Sequence, residues 1–323
     1  MKKAWIYRKI ILGILSVAFS LVTLTTTTFA WFTLTTRATA DNFDFSVTLG
    51  NELEISLDGI NYSNDIDSAT IKAAIGSQLF LKDVTSKNGY EFTYDVINPI
   101  PAIANRDYVS LTVYFRAMRA NQAVYLVDNN GIGVHFGEAH SELGTFFVSQ
   151  GVDWKSSAKF IYDEKGTVIE PGTVIKLYAA DALRVSFVET HVEPEVLGTT
   201  DARNQNELVQ TIYDPSENEA RGFGKSYGAL AYWNAKHYYD KLSIPEEIPN
   251  TITSLTKIQG DIPTDNNSRV VSLQKANNDG DKQYYVGKAI INIWLEGWDA
   301  DCFNAILQDK IKIQLRFRGA KIL

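Results

Sequence analysis

The amino-acid sequence predicts an all-β protein, a jelly roll or β-sandwich with helical and loop insertions. Apolar and polar residues alternate with a period of two through about ten stretches of the chain, which is typical of half-buried strands. No repeat of fixed period is present in the sequence, and this disfavours solenoids and propellers. Many short strands in one long chain indicate a sandwich or jelly roll.

The first predicted strand follows a polar stretch at 33–42. Phe43, Phe45, Val47 and Leu49 alternate with polar residues and give this strand one apolar face. The apolar face and the polar tether before it predict an assembly strand, which docks into the sheet of a neighbouring subunit. Pairing of the same strand within its own chain is the alternative.

Further strands are predicted along the rest of the chain from the same alternation or from short β-branched and aromatic runs. They lie at 53–57, 108–115, 123–127, 158–162, 173–178, 182–188, 289–295 and 310–318. In the last of them Ile311, Ile313, Leu315 and Phe317 share one face. We expect this strand to pair with 289–295 and to form the centre of the core.

Two stretches are predicted to be helical. Residues 226–242 place Leu230, Trp233 and His237 at spacings of three and four, as an amphipathic helix does. Residues 69–79 are a shorter candidate.

Two polar stretches, 189–224 and 248–281, are rich in acidic residues or in Pro, Asn, Asp, Ser and Thr, and they predict excursions from the β core. We therefore expect a single domain over residues 31–323 with insertions at about 189–282.

The first 30 residues have the profile of a secretory signal peptide. Basic residues lie within the first nine positions, and no charged residue occurs in 10–32. The run Thr28-Phe29-Ala30 predicts cleavage by signal peptidase before Trp31, and Ala38-Thr39-Ala40 is a second match. An uncleaved N-terminal anchor is the alternative, because the uncharged stretch is long enough to span a membrane. Either outcome places the rest of the chain on the outside of the cell, secreted or at its surface.

The charge of the chain excludes one class of partner. The sequence has 31 basic and 38 acidic residues, and its net charge is -7. Four of the basic residues precede the apolar stretch, so the remainder of the chain is more acidic still. Binding to nucleic acid needs clustered Lys and Arg, and we expect none here.

Candidate catalytic and zinc residues are few. His135, Glu138, His140 and Glu142 could in principle hold zinc, but their spacing does not match the helical zinc motif and the segment is rich in glycine. The single cysteine, Cys302, has no basic neighbour in sequence to activate it, and it allows no intrachain disulfide. No nucleophile elbow, phosphate loop or dinucleotide motif occurs. We therefore expect a protein that is not an enzyme and has no cofactor.

Calcium is the one metal that the sequence suggests. Glu296, Asp299 and Asp301 lie on the connection between the last two predicted strands, and carboxylates are the ligands that calcium prefers. The turn 277–281 is another oxygen-rich candidate. Neither follows the EF-hand spacing, and Asx-rich turns usually bind their own backbone.

The aromatic pair Trp31-Phe32 follows the predicted cleavage site, and the strand 42–47 comes after it. This start of the mature chain resembles the TasA/camelysin family of exported Gram-positive matrix proteins. Segments 114–116, 124–126, 182–187 and 294–302 are similar to parts of larger surface proteins with the same signal type. The resemblance implies a jelly-roll fold, secretion, and assembly into fibres or a wall-associated matrix. This chain differs from the smaller fibre formers in its length, the helix predicted from Ser226 and its acidic insertions.

Two functions therefore remain open. The first is a structural surface or biofilm-matrix subunit, whose partners are itself or other matrix subunits. The second is a carbohydrate- or peptide-binding cell-wall protein that uses exposed aromatic side chains. The sequence ends without a hydrophobic sorting tail, so we expect retention through the N-terminal anchor or through non-covalent assembly.

Overall fold

A computed structural model of the chain describes residues 38–47, 53–76, 80–94, 99–128, 134–137, 144–216 and 219–323. These residues form mostly β-strands with two α-helices, and the two main sheets share one hydrophobic core. The predicted all-β sandwich is confirmed. Its jelly-roll topology stays a prediction, and the predicted signal peptide with Ala30 and Trp31 lies outside the described residues.

The strands and helices are numbered in chain order. The strands are β1 (Ala38–Val47), β2 (Glu54–Ser56), β3 (Asp65–Ile66), β4 (Phe80–Leu81), β5 (Asp83–Val84), β6 (Val109–Ala117), β7 (Gln122–Leu126), β8 (Phe146–Ser149), β9 (Val152–Lys155), β10 (Phe160–Ile161), β11 (Val168–Ile169), β12 (Val174–Leu177), β13 (Leu183–Thr190), β14 (Gln210–Tyr213), β15 (Thr251–Ile252), β16 (Ile258–Gln259), β17 (Ile262–Pro263), β18 (Arg269–Ser272), β19 (Gln274–Asp279), β20 (Lys282–Glu296) and β21 (Lys310–Lys321). The α-helices are α1 (Ser68–Ile75) and α2 (Ala229–Lys236), and short 3₁₀ helices lie at Ala179–Ala182, Gln205–Glu207, Glu219–Arg221 and Asn304–Gln308.

The first main sheet, sheet A, has the strand order β18-β7-β21-β1-β3. β4 also pairs with β1, and β8 pairs with β21. β1 and β21 run parallel, whereas the other pairs in this sheet are antiparallel. The strand nearest the start of the chain therefore lies inside the sheet, directly beside the last strand.

The second main sheet, sheet B, has the order β15-β14-β13-β20-β6-β2. Its long central strand, β20, pairs along most of its length with β13 on one side and β6 on the other. β19 and β5 pair with the two ends of β20. Smaller two-stranded ribbons are formed by β9 with β12, β10 with β11, and β16 with β17.

The core lies between the two sheets. The ring of Phe317 on β21 has its centroid 5.0 Å from that of Phe115 on β6 and 6.4 Å from that of Phe187 on β13. Ile291 on β20 and Ile313 on β21 belong to the same buried cluster. The alternating apolar faces predicted from the sequence are thus the faces that meet in the core.

The predicted pairing of the last two strands is wrong. β20 belongs to sheet B and β21 to sheet A, and they face each other across the core. The connection between them, residues 297–309, crosses from one sheet to the other. Alternation identifies the buried face of a strand, but it does not identify the strand that lies beside it.

One side of the sandwich is closed by the hairpin formed by β2 and β3. Ile55 on β2 exchanges two backbone hydrogen bonds with Ser63, of 2.8 and 2.9 Å, just before β3. Because β2 is the edge strand of sheet B and β3 the edge strand of sheet A, this hairpin joins the two sheets along that side.

Both predicted helices are present but shorter than expected. α1 begins after Asp67, whose carboxylate accepts a 2.8 Å hydrogen bond from Thr70 N–H, and ends at Gly76 with φ 86°. α2 begins after Gly228, which has φ 67° and where a Cβ would meet the carbonyl of Ala300. The helical spacing continues in the sequence past Lys236, but the chain leaves the helix at His237.

The range 189–282, predicted as insertions, is only partly a set of excursions. β14 pairs with β13 in sheet B, β18 pairs with β7 in sheet A, and β19 pairs with β20. These strands are short and lie between polar loops, so a composition average over the whole range hides them.

Candidate functional site

The sequence singles out β1 for assembly and leaves pairing within its own chain as the alternative. The structure places β1 inside sheet A of its own chain, as that alternative predicts. Phe43 lies opposite Ile313 and Phe45 opposite Leu315 in parallel register. Phe43, Phe45 and Val47 are 0%, 1% and 4% exposed. The apolar face predicted for this strand is therefore a core face.

Aromatic contacts fix this face in the core. The ring centroids of Phe43 and Phe45 are 4.9 Å apart, and Phe45 lies 5.9 Å from Phe317, both in edge-to-face geometry. Such pairs contribute beyond the area that they bury. Leu49, the fourth residue predicted for this face, lies outside the described residues.

The two edges of β1 are held very differently. β21 pairs with it from Thr39 to Val47, whereas β3 and β4 each pair with only two of its residues. Between those short pairings α1 contributes two contacts: Ser68 N–H donates to Asp44 Oδ1 at 2.9 Å, and Phe43 N–H donates to Ser68 Oγ at 3.3 Å. β1 thus occupies a slot in sheet A. One side of the slot is formed by β21 along its length, and the other side is formed in parts by β4, α1 and β3.

The calcium candidates Asp299 and Asp301 lie together, but arginines pair with both. Arg184 on β13 binds the carboxylates of Asp299 and Asp214, the latter at 2.8 Å. Arg221 binds Asp301 at 2.6 Å. Arg184 is 1% exposed, and its partners are buried as well. This end of the sandwich therefore contains a buried ionic cluster.

Glu296, the third calcium candidate, is held by tryptophan donors. Trp294 Nε1 donates to its carboxylate at 3.0 Å, and the backbone N–H of Trp298 donates to it at 3.2 Å. Its side chain is thus held by the residues two positions before and two positions after it in the chain.

Burial dominates the electrostatics of the cluster. It raises the pKa of Asp299 to about 8, against the opposing charge of Arg184, and it also raises the pKa of Glu296. Asp83 on β5, paired with Leu295 of β20, is buried too, and burial raises its pKa to about 7. Burial therefore opposes ionisation of these carboxyl groups, and the charge of Arg184 offsets part of that effect at Asp299.

The structure does not support the calcium prediction at Glu296, Asp299 and Asp301. Their oxygens accept hydrogen bonds from arginine and tryptophan side chains and from backbone N–H groups. Within the described ranges, no group of three or more His, Cys, Asp or Glu residues is placed to hold a metal ion. The second candidate, 277–281, spans the turn between β19 and β20.

The remaining sequence candidates do not assemble a reactive centre that the structure describes. His135 is exposed, and its proposed zinc partners Glu138, His140 and Glu142 lie outside the described residues. Cys302 is 5% exposed, and burial raises its pKa well above the usual value. A thiol in such surroundings stays protonated and is a poor nucleophile.

A cleft of about 600 Å³, which the sequence did not suggest, lies between the β2–β3 hairpin and α1. Most of the residues that line it are polar, and they include Asp58, Asn61, Tyr62 and Asp67. The hydroxyl of Tyr62 is buried and has no hydrogen-bond partner among the described residues. The volume is in the range of small-ligand pockets.

The cleft arises from a turn that sequence reasoning passed over. Asp58 accepts hydrogen bonds from the backbone N–H groups of Ile60 and Asn61, both at 2.8 Å, and these bonds hold its pKa well below the usual range. A run of Asp, Gly and Asn between two short strands is a signal for such a turn. It does not show that a helix will lie across from the turn.

The described helices and the comparisons with known proteins leave the family open. None of those helices is long and apolar enough to cross a membrane. No family model matches the chain, and neither does any curated protein or solved structure.

Proposed function

We propose that this chain is an exported cell-surface or extracellular-matrix structural protein with β1 as its assembly strand. The observation that supports this is the position of β1. It lies close behind the predicted signal peptide, yet its side chains fill the core of sheet A beside the last strand. A strand at the start of a mature chain can leave its own slot and fill the same slot in a neighbour.

If β1 is exchanged between subunits, it keeps the same contacts that it makes within its own chain. A strand added to a sheet gains main-chain hydrogen bonds along its edge and buries alternate side chains. Head-to-tail repetition of such a contact does not close on itself and gives a filament. The resemblance to the TasA/camelysin family supports this proposal, with the chain itself, other matrix subunits or the cell wall as partners.

A disulfide trap tests the proposal. Ser46 and Arg316 are directly paired across β1 and β21, so cysteines at both positions lie at the spacing that a disulfide needs. If strands are exchanged, Ser46→Cys/Arg316→Cys forms covalent ladders on a non-reducing gel, and Ser46→Cys alone does not. Disulfides confined to single chains at high protein concentration would contradict assembly through β1.

A second function is favoured by the cleft beside α1. Its mixture of carboxylates, an amide and a phenol suits the hydroxyl groups of a sugar, as in a carbohydrate-binding wall protein. Titration with oligomers of N-acetylglucosamine, followed by calorimetry, tests this reading. Binding by the wild type and its loss in Asn61→Ala, with no filaments in electron micrographs, would give this function first place.

A further inference from the structure

A second groove lies at the end of the sandwich that carries the buried ionic cluster. It measures about 290 Å³, and Trp298, Phe223, Pro99 and Pro245 contribute its apolar lining. Trp298 is buried to all but 5% of its surface, so it is a fixed part of the wall.

Exposed apolar residues lie close in sequence to two of the lining prolines. Ile100, which follows Pro99, is 47% exposed, and Ile248, three residues past Pro245, is 67% exposed. Exposed large apolar side chains next to a groove are typical of a surface that is covered by a partner.

One rim of the groove is acidic. Glu246 and Glu247 both line it. Glu247 forms a 2.5 Å ion pair with Lys87, whereas Glu246 has no ion pair among the described residues. An occupant with an apolar body and a positive charge fits this combination.

The start of β1 lies near the groove. Ala38 is paired with Leu81 on β4, and Thr85, only four residues further along the chain, lines the groove. Residues 31–37 precede Ala38 and span up to about 25 Å when extended. They begin with Trp31-Phe32 and contain no acidic residue.

We propose that segment 31–37 docks in this groove, with Trp31 or Phe32 against Trp298 and Phe223 and with the α-amino group of Trp31 facing Glu246. The inference rests on the proposed export, because hydrolysis of the Ala30–Trp31 bond leaves a carboxylate on Ala30 and a free amine on Trp31. An α-amino group ionises with a pKa of about 7.7–8.0 and is largely positive at neutral pH.

Docking therefore depends on processing. Before cleavage the nitrogen of Trp31 is an uncharged amide, and the apolar signal continues from it. After cleavage the tether in front of β1 has an aromatic, positively charged end, and the groove holds it beside β4 and β5. If β1 is exchanged between subunits, the same end docks in the groove of the subunit that accepts the strand.

A cysteine trap in the mature chain tests this inference. Thr93 lines the groove, and the native Cys302 is buried and does not interfere. We expect Thr33→Cys/Thr93→Cys to form a disulfide at least about tenfold faster than the control Thr33→Cys/Asp281→Cys, because docking concentrates the tethered thiol. Asp281 precedes β20 at its far end, about 45 Å from the groove end of that strand.

Variants of the tether identify the contacts. Nα-acetylation, retention of Phe29-Ala30, and Trp31→Ala with Phe32→Ala should each reduce the trapping rate toward that of the control pair. Thr35→Ala is the matched change and should leave the rate unchanged. Glu246→Gln should reduce trapping of the free amine and have no effect on the acetylated chain.

The gel that follows the trap separates this inference from the assembly proposal. Disulfides within one chain support docking without strand exchange, and disulfides between chains support docking together with exchange. Equal rates for the groove pair and the Asp281 pair, or rates indifferent to acetylation and to loss of both aromatics, would overturn the inference. The β1 proposal would then still stand on its own trap at Ser46 and Arg316.

Discussion

The slot of β1 and the connection between β20 and β21 are both buried, but they are built from opposite chemistry. Phe43 and Phe45 fill the slot with aromatic rings. The end of β20 and the connection that follows it bury Glu296, Asp299 and Asp301, which are 1%, 2% and 6% exposed. In the slot the buried side chains are apolar, as expected for a core. In the connection the buried side chains are acidic, and burying such groups is unfavourable.

Distant partners offset the cost of this burial. Arg184 reaches Asp299 from 115 positions earlier in the chain, and Arg221 reaches Asp301 from 80 positions earlier. A buried charge is tolerated when it is paired and hydrogen-bonded. The stability of the slot therefore depends on how well its apolar side chains pack. The stability of the connection depends on the presence of each ion-pair partner.

The largest effect is expected from removing one partner of the ionic cluster. Arg184→Met leaves Asp214 and Asp299 buried without the guanidinium group that pairs with both of them. Breaking a buried pair in this way costs about 3–5 kcal/mol. Urea unfolding of the purified protein, compared with the wild type, measures the loss.

An exposed ion pair of the same kind is the matched control. Lys159 and Glu170 lie 2.6 Å apart, with side chains 64% and 58% exposed. Pairs of this type contribute only about 0–1 kcal/mol. If Arg184→Met is no more destabilising than Lys159→Ala, the buried cluster does not stabilise the fold.

A somewhat smaller effect is expected from the wall of the β1 slot. Ile313 is 2% exposed and lies opposite Phe43, so Ile313→Ala should reduce the free energy of unfolding by about 2–5 kcal/mol. Lys312→Ala, one position away on the other face, is the control. Equal losses in the two variants would mean that the face of β21 is assigned wrongly.

The sequence was sufficient for the two strands that meet in the slot of β1. Phe43 to Val47 and Ile311 to Phe317 alternate cleanly, and each has one face in the interior. The pairing of β21 with β1 could not be predicted, because parallel neighbours far apart in sequence leave no local signal. The same holds for the assignment of β20 and β21 to different sheets.

The candidate site was predictable only in part. Arg184 and Ser186 alternate with Leu183 and Val185, which indicates a solvent-facing side of β13. In the folded chain both are covered, Ser186 by Gly89, to whose carbonyl it donates, and Arg184 by its carboxylates. Alternation in the sequence identifies the two faces of a strand. It does not show whether a loop from elsewhere in the chain covers the polar face.

The last effect concerns Asp83, and it distinguishes the two regions by their response to pH. Burial raises its pKa from 3.8 to about 7, with Lys82 opposing the shift. In the unfolded chain the group ionises near 3.8, so between about pH 4 and 7 the folded state holds a proton that the unfolded state has lost. The stability that this proton contributes is complete below pH 4 and is lost as the pH rises through 7.

Asp83→Asn should therefore flatten the dependence of unfolding free energy on pH between 4 and 7. At pH 8 it should make the protein at least as stable as the wild type, because the asparagine carries no charge to bury. Chemical denaturation at several pH values measures this, with Asp153→Asn on the exposed face of β9 as the control. Because Ile313→Ala removes no ionisable group, it should keep the wild-type slope. If the unfolding free energy of Asp83→Asn changes with pH as steeply as that of the wild type, Asp83 ionises in the folded protein as it does in water. The contrast in pH response between the two regions would then have to come from Glu296 and Asp299, whose pKa values burial also raises.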